Sequence, residues 1–168
     1  EKKLKKKKWS MGLFVWHFGT KKTKSLWPDV GHHTILHGPR YKNHVKDIFI
    51  NGVLADDMSL YVHRPSVSDP TCAPKGDDTF YVLSPVPNLE GNVDWTIEAE
   101  NYKNAISTYL QDALLPDLKS SIVTSRVMTP YDFRDKYLAF RGAAFGLEPI
   151  LTQSAWFRPH NQSEDIAN

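Results

Sequence analysis

Seven histidines and a single cysteine are the side chains of this 168-residue chain best suited to hold a metal or begin a reaction. His32, His33 and His37 are spaced closely enough to suggest a metal site. The stretch reads as a strand, however, where neighbouring side chains point to opposite faces. No Cys, Asp or Glu stands among them to complete a ligand set. The sequence therefore predicts no metal centre and leaves these histidines as surface or hydrogen-bonded groups. Cys72 alone builds neither an internal disulfide nor a cysteine zinc site, and it suits a reducing cytoplasm. There is no G-x-G-x-x-G, P-loop, H-E-x-x-H or G-x-S-x-G pattern, so the chemistries those motifs carry have no bearer in this sequence.

The elements that would position any such group alternate, with proline and glycine as punctuation. Met11 to Phe18 is an apolar, aromatic run expected to form a buried strand, followed by a polar loop over Lys21 to Asp29 and a second strand over His33 to His37. Pro39 is a favoured first-turn residue, and Tyr41, Val45, Ile48 and Phe49 share one helical face that Gly52 is placed to end. Ser59 to Arg64 and Thr79 to Ser84 read as strands around a Pro/Asp/Gly-rich loop. Val93 to Glu98 alternates and predicts a strand with one wet face. Tyr102, Ala105, Ile106, Tyr109, Leu110, Ala113 and Leu114 keep the 3.6-residue helical period until Pro116 stops them. Ser121 to Met128 returns as a strand. Thr129 then caps a helix with Pro130 at its first position, Asp132 at the positive end, Met128 and Phe133 spaced as a staple, and Gly142 at its close. The order predicts an α+β fold of mainly antiparallel mixed sheet with packed helices.

Composition fits one ordinary domain: 40% hydrophobic, 12% aromatic and a net charge of +2, which demands neither nucleic acid nor an acidic partner. No apolar run approaches the roughly 20 residues that span a bilayer. Glu1 to Lys8 carries six lysines and no initiating methionine, and Asp165 to Asn168 stops without a cap, so the chain reads as an interior piece of something longer. The lysine run admits three readings: a solvated helix end, a contact with an anionic membrane surface, or nucleic-acid binding. Of these the last is set aside, because the downstream aromatics sit in strand patterns that a core explains.

Longer strings carry a resemblance. Gly38-Pro39-Arg40-Tyr41, Ser59-Leu60-Tyr61-Val62-His63 and Thr79 to Leu89 come first, followed by Asp94-Trp95-Thr96 and Thr129 to Asp135. Gly142-Ala143-Ala144-Phe145-Gly146-Leu147-Glu148-Pro149 and Leu151 to Asn161 complete the order. Together, over most of the chain from about Leu13, they closely resemble the bacterial-type phytoene desaturases (phytoene dehydrogenases) of carotenoid synthesis. That family is similar in fold to the amine oxidases, in which a Rossmann-type flavin domain is interleaved with a substrate domain. The family's glycine fingerprint and glycine-rich flavin segment are absent here, so the resemblance implies a piece that does not hold FAD in the family manner. It divides the chain into residues 1–12 as the lysine-rich end of an upstream element, 13–160 as a carotenoid-binding domain and 161–168 as a connection back to the flavin domain.

The function implied is desaturation of phytoene towards lycopene, with hydride passing to FAD and a quinone or oxygen reoxidising it. The location implied is cytoplasmic, at the membrane periphery. A polyene offers no hydrogen-bonding handle, so its site must be an apolar, aromatic-lined tunnel, and Phe145, Trp156 and Phe157 are the expected contacts. Glu148 is the candidate to stabilise cationic charge and take the proton. Arg158 and His160 are the candidates to support the flavin. The alternative is a non-enzymatic, membrane-associated carrier or binding module for apolar polyenes or lipids.

Overall fold

The structure, a computed structural model, describes residues 6–158. Five strands form one sheet: β1 (Gly12–Thr20), β2 (His33–Leu36), β3 (Leu60–His63), β4 (Asp78–Val86) and β5 (Ile122–Met128), in the spatial order β2-β3-β4-β1-β5. Every pairing is antiparallel. The α+β expectation holds, while the expected mixed sheet is wholly antiparallel. The helices are α1 (Tyr41–Lys46), which widens into a π-turn over Asp47–Asn51, α2 (Trp95–Ala113), α3 (Leu118–Ser121) and α4 (Pro130–Tyr137).

The core lies between one sheet face and α2. Phe14, Trp16 and Phe18 of β1, Val62 of β3, and Phe80, Val82 and Val86 of β4 meet Trp95, Tyr102, Ile106 and Leu110, all buried. Phe14 stacks on Trp95 with centroids 5.7 Å apart and meets the edge of Tyr102 at 5.1 Å. The Tyr102 hydroxyl lies 2.6 Å from Ser84 Oγ, so a buried polar atom stays satisfied while the helix is pinned to β4. Burial pushes the Tyr102 pKa up to about 12, against the pull of the Ser84 hydrogen bond. The aromatics of β1 therefore fill the core and do not line a tunnel.

Two expectations about helix ends are corrected. Val93 to Glu98 is not a strand: Asp94 caps α2, its carboxylate accepting from Thr96 N at 2.9 Å, and the helix begins at Trp95. The cap outweighs a short alternation that also satisfies helical spacing, since Trp95 continues the stripe of Tyr102, Ile106 and Leu110. Helix α4 keeps its expected start, with Thr129 N donating to Asp132 Oδ2 at 2.8 Å in a capping box. It stops at Tyr137, however, where Leu138 turns left-handed at φ 55°. Gly142 serves a different end. It sits at φ +65°, and a Cβ there would stand 2.4 Å from Pro130 O, so only glycine lets the returning chain close over the start of α4. Gly52, at φ +64°, does close the α1 segment as expected.

The loop between β1 and β2 is fastened by a buried ion pair. Arg64 Nε and Nη2 donate to Asp78 Oδ1 and Oδ2 at 3.1 and 2.8 Å. Its remaining protons go to the carbonyls of Trp27 (2.7 Å), Val30 (3.0 Å) and Lys24 (3.3 Å), which uses all five guanidinium donors. Asp78 also accepts from Ser66 Oγ at 2.7 Å and Thr23 Oγ1 at 2.9 Å. The guanidinium carbon lies 5.9 Å from the Trp27 ring centroid and 5.6 Å from that of Phe80. Burial alone would raise the Asp78 pKa. The hydrogen bonds from Arg64, Ser66 and Thr23 and the Arg64 charge outweigh it and hold the carboxyl below its ordinary 3.8.

Removing one partner leaves the other charged and alone in the interior. Asp78→Ala should cost about 3–5 kcal/mol in urea unfolding, and Arg64→Ala a similar amount. Because the folded-state pKa of Asp78 is depressed, its contribution is fully present above the ordinary value and is lost as pH falls through the lower folded value. The wild type should therefore lose stability on acidification below pH 3.8 more steeply than Asp78→Asn does, and equal slopes would contradict this account.

Candidate functional site

Strand periodicity places Leu13 and His17 of β1, Ile35 and His33 of β2, Tyr61 and His63 of β3, and Tyr81, Leu83 and Pro85 of β4 on the sheet face opposite α2. This face divides into an apolar half and an imidazole half. The apolar half is a groove in two adjoining hollows of about 340 and 270 Å³. Met11, Tyr41, Ser59, Pro85 and Phe145 line both. Leu13, Ile35 and Leu83 extend one of them, while Val45, Ile48 and Phe49 from α1 and its π-turn wall the other. Tyr41, Val45 and Phe49 are exposed, an amphipathic face turned to solvent along the groove rather than sealed into the core. Buried His44 stands in the floor with Nδ1 3.4 Å from Ser59 Oγ. Burial lowers its pKa despite the carboxylates of Asp57 and Asp47, so the ring is neutral near pH 7 and does not charge the groove.

The imidazole half is a continuous row of rings across four strands. His17 meets Tyr81 at 5.8 Å between centroids, Tyr81 meets His63 at 4.4 Å, and His63 meets His33 at 5.2 Å and His32 at 4.6 Å. Tyr61 stacks on His33 at 5.9 Å, and its hydroxyl lies 2.6 Å from His33 Nδ1. His32 Nδ1 is 2.7 Å from Ser68 Oγ, and its Nε2 is 2.6 Å from His63 Nε2. Burial, and then the neighbouring His32 and His33, lower the His63 pKa.

The residues expected from sequence scatter across this region. Phe145 lines both hollows, 63% exposed, its amide N–H donating to Ser10 Oγ at 3.0 Å. Trp156 and Phe157 sit on a short 3₁₀ turn (Ala155–Phe157), exposed, and outside the groove lining. Glu148 is half-buried in a polar cleft that shares Met11, Ile48 and Phe49 with the groove, so it stands beside the apolar hollow rather than in it. Its backbone is fixed by Glu148 N donating to Lys8 O at 3.0 Å and Gln153 Nε2 donating to Glu148 O at 3.2 Å. Arg158 is exposed at the end of the described residues, and His160 lies outside them. The expectation about histidines is incomplete in one respect. His37 lies apart, but His32, His33 and His63 do converge, because the β2–β3 register pairs His33 with His63 and His32 precedes the strand, where alternation does not apply. The signal available in sequence was His63 inside a strand expected to pair with that of His33.

No protein-family model matches the chain. It is 63% identical over 168 residues to the neurosporene-forming phytoene desaturase of Rhodobacter capsulatus, covering 99% of this chain and 32% of that protein. The corresponding enzyme of Cereibacter sphaeroides is 58% identical over 167 residues, and the lycopene-forming phytoene desaturase of a Paracoccus species 49% over 168. The chain is a relative of the phytoene desaturases. It spans about a third of the length of those relatives. The phytoene desaturase resemblance of the ordered strings is thus borne out, and every one of these relatives is named as an enzyme rather than a carrier.

The described residues do not fit a dinucleotide such as FAD. Among them every strand pairing is antiparallel, so there is no parallel βαβ crossover, and no glycine-rich turn opens a helix after a strand. No helix among them is long and apolar enough to cross a membrane.

Proposed function

We propose that these residues form part of a carotenoid-desaturating oxidoreductase and supply one wall of its hydrocarbon site, in the manner of the substrate domain of an amine-oxidase-like flavoenzyme. The observation that carries the proposal is the apolar groove on the sheet face opposite α2, which presents carbon-rich surface from Met11, Leu13, Pro85 and Phe145. Such a surface suits a substrate recognised by shape and desolvation alone. The reaction proposed is removal of hydrogen from phytoene towards neurosporene or lycopene. FAD and its reoxidant, quinone or oxygen, are assigned to other parts of a polypeptide about three times this length. Residues 13–160 are proposed as the carotenoid domain, with residues 161–168 leading back towards the flavin. Arg158 and His160 are then supports at that junction, and Trp156 and Phe157 are apolar surface available to it.

Glu148 is proposed as the carboxylate that takes the proton released from the polyene. Its carboxylate makes no hydrogen bond to another described residue, and its cleft opens beside Phe49 and Met11. Peripheral membrane contact belongs to the same proposal, because the hydrocarbon resides in lipid and Lys6 and Lys8 are exposed.

In the intact enzyme, Phe145→Asp should place an uncompensated charge in the groove. It should cut phytoene turnover by roughly tenfold or more, since charge is costly on apolar surface, while flavin content stays constant. Unchanged pigment formation would remove the groove from the substrate path. Glu148→Gln should lower the rate per bound flavin by about 100-fold, and a normal flavin-normalised rate would take Glu148 out of the chemistry. Flotation with liposomes should show binding that rises with anionic lipid and falls with salt; binding indifferent to both would refute the electrostatic contact.

A further inference from the structure

We propose that His32, His33 and His63 form a binding site for a divalent transition-metal ion of the zinc type, one ring nitrogen from each serving as a ligand. The three ligand nitrogens lie within 4.8 Å of one another. The site is built from both sides. Ser68 Oγ engages His32 Nδ1 at 2.7 Å and Tyr61 OH engages His33 Nδ1 at 2.6 Å. Each partner therefore occupies Nδ1 and leaves Nε2 as the nitrogen a metal would use. That is the outer hydrogen bonding by which metal-binding imidazoles are held in one tautomer and one orientation.

The third ring closes the cluster through its Nε2. His63 Nδ1 is buried and has no hydrogen-bond partner, and His63 Nε2 faces His32 Nε2 at 2.6 Å. Two imidazole nitrogens at that distance share one proton. Ligands about 2.0–2.1 Å from a tetrahedral ion stand about 3.3 Å apart, so the two rings need to part by only some tenths of an ångström as the ion displaces that proton. Three neutral imidazoles suit a borderline ion and offer nothing to magnesium or calcium, which take oxygen ligands. A tetrahedral ion held by three imidazoles keeps a fourth position for water or a small anion. None of this rests on the carotenoid reading, because none of the three ligand histidines lines either hollow of the groove.

Bound there, the ion would clip the four-residue edge strand β2 to β3 through the His33–His63 register pair. The test is titration of the tag-free intact protein with Zn2+, and with Co2+ as a spectroscopic probe. One saturable ion per chain is expected, with tetrahedral Co2+ absorption and a raised melting temperature. His33→Ala, on the exposed edge, and His63→Ala should each weaken binding by about 100-fold, and Tyr61→Phe by about tenfold, as losses of an outer partner do. His37→Ala should leave affinity unchanged. The proposal fails if no saturable binding is seen in the micromolar range, or if His33→Ala and His63→Ala both bind as the wild type does. His33→Ala keeps the test decisive should His63→Ala fail to fold.

Discussion

A single guanidinium organises much of this fold. Arg64 is 2% exposed, and it lies in the interior because every proton it carries has an acceptor and every oxygen of its partner Asp78 has a donor. A buried pair of this kind is poor evidence of net stability, since apolar side chains of equal volume often do as well. What it contributes is position. Three carbonyls of the loop after β1 converge on Arg64, and Thr23 of that loop reaches Asp78. The loop is thereby fixed to β3 and β4 without secondary structure of its own. His32 follows the loop, His63 precedes Arg64, and Ser68 follows Ser66. The imidazole cluster thus inherits its geometry from the ion pair beside it.

The two halves of the exposed sheet face follow from one alternation applied in register across four strands. Where β1 and β4 place Leu13, Leu83 and Pro85, the face is hydrocarbon, and α1 with its π-turn folds beside it to make a groove. Where β1, β4 and β3 place His17, Tyr81 and His63, the face is a row of rings. The core side of the same strands carries Phe14, Trp16, Phe80 and Val82. One sheet therefore separates a dry interior from a surface with two distinct chemistries only two residues apart along each strand.

What the sequence made legible was local. The period of Tyr102, Ile106 and Leu110, the Thr129 capping box and the aromatic run of β1 are each set by neighbours within a few residues, and each appears where expected. The six residues Val93 to Glu98 satisfy both periods, and the side-chain cap at Asp94 decides for the helix. The features that shape the site are long-range. Arg64 and Asp78 meet through a strand pairing, and His33 meets His63 thirty positions further along the chain. Phe145 reaches the groove only because Gly142 lets the chain fold back over α4. Family resemblance identified the segment as a whole, but it did not indicate that Trp156 would face solvent or that Glu148 would stand in a polar cleft beside the groove.

The order β2-β3-β4-β1-β5 puts the earliest strand inside the sheet, between β4 and β5. Trp16 pairs with Val82 on one side and Val127 on the other, so neither neighbour exists while β1 is leaving the ribosome. During synthesis an aromatic strand with both edges open must wait for most of the segment to be made, and such a strand is an invitation to intermolecular pairing. The topology thus leaves β1 unpaired until both β4 and β5 have been made. Sluggish translation between β1 and β5 would lengthen the interval in which nascent chains can find one another instead of themselves.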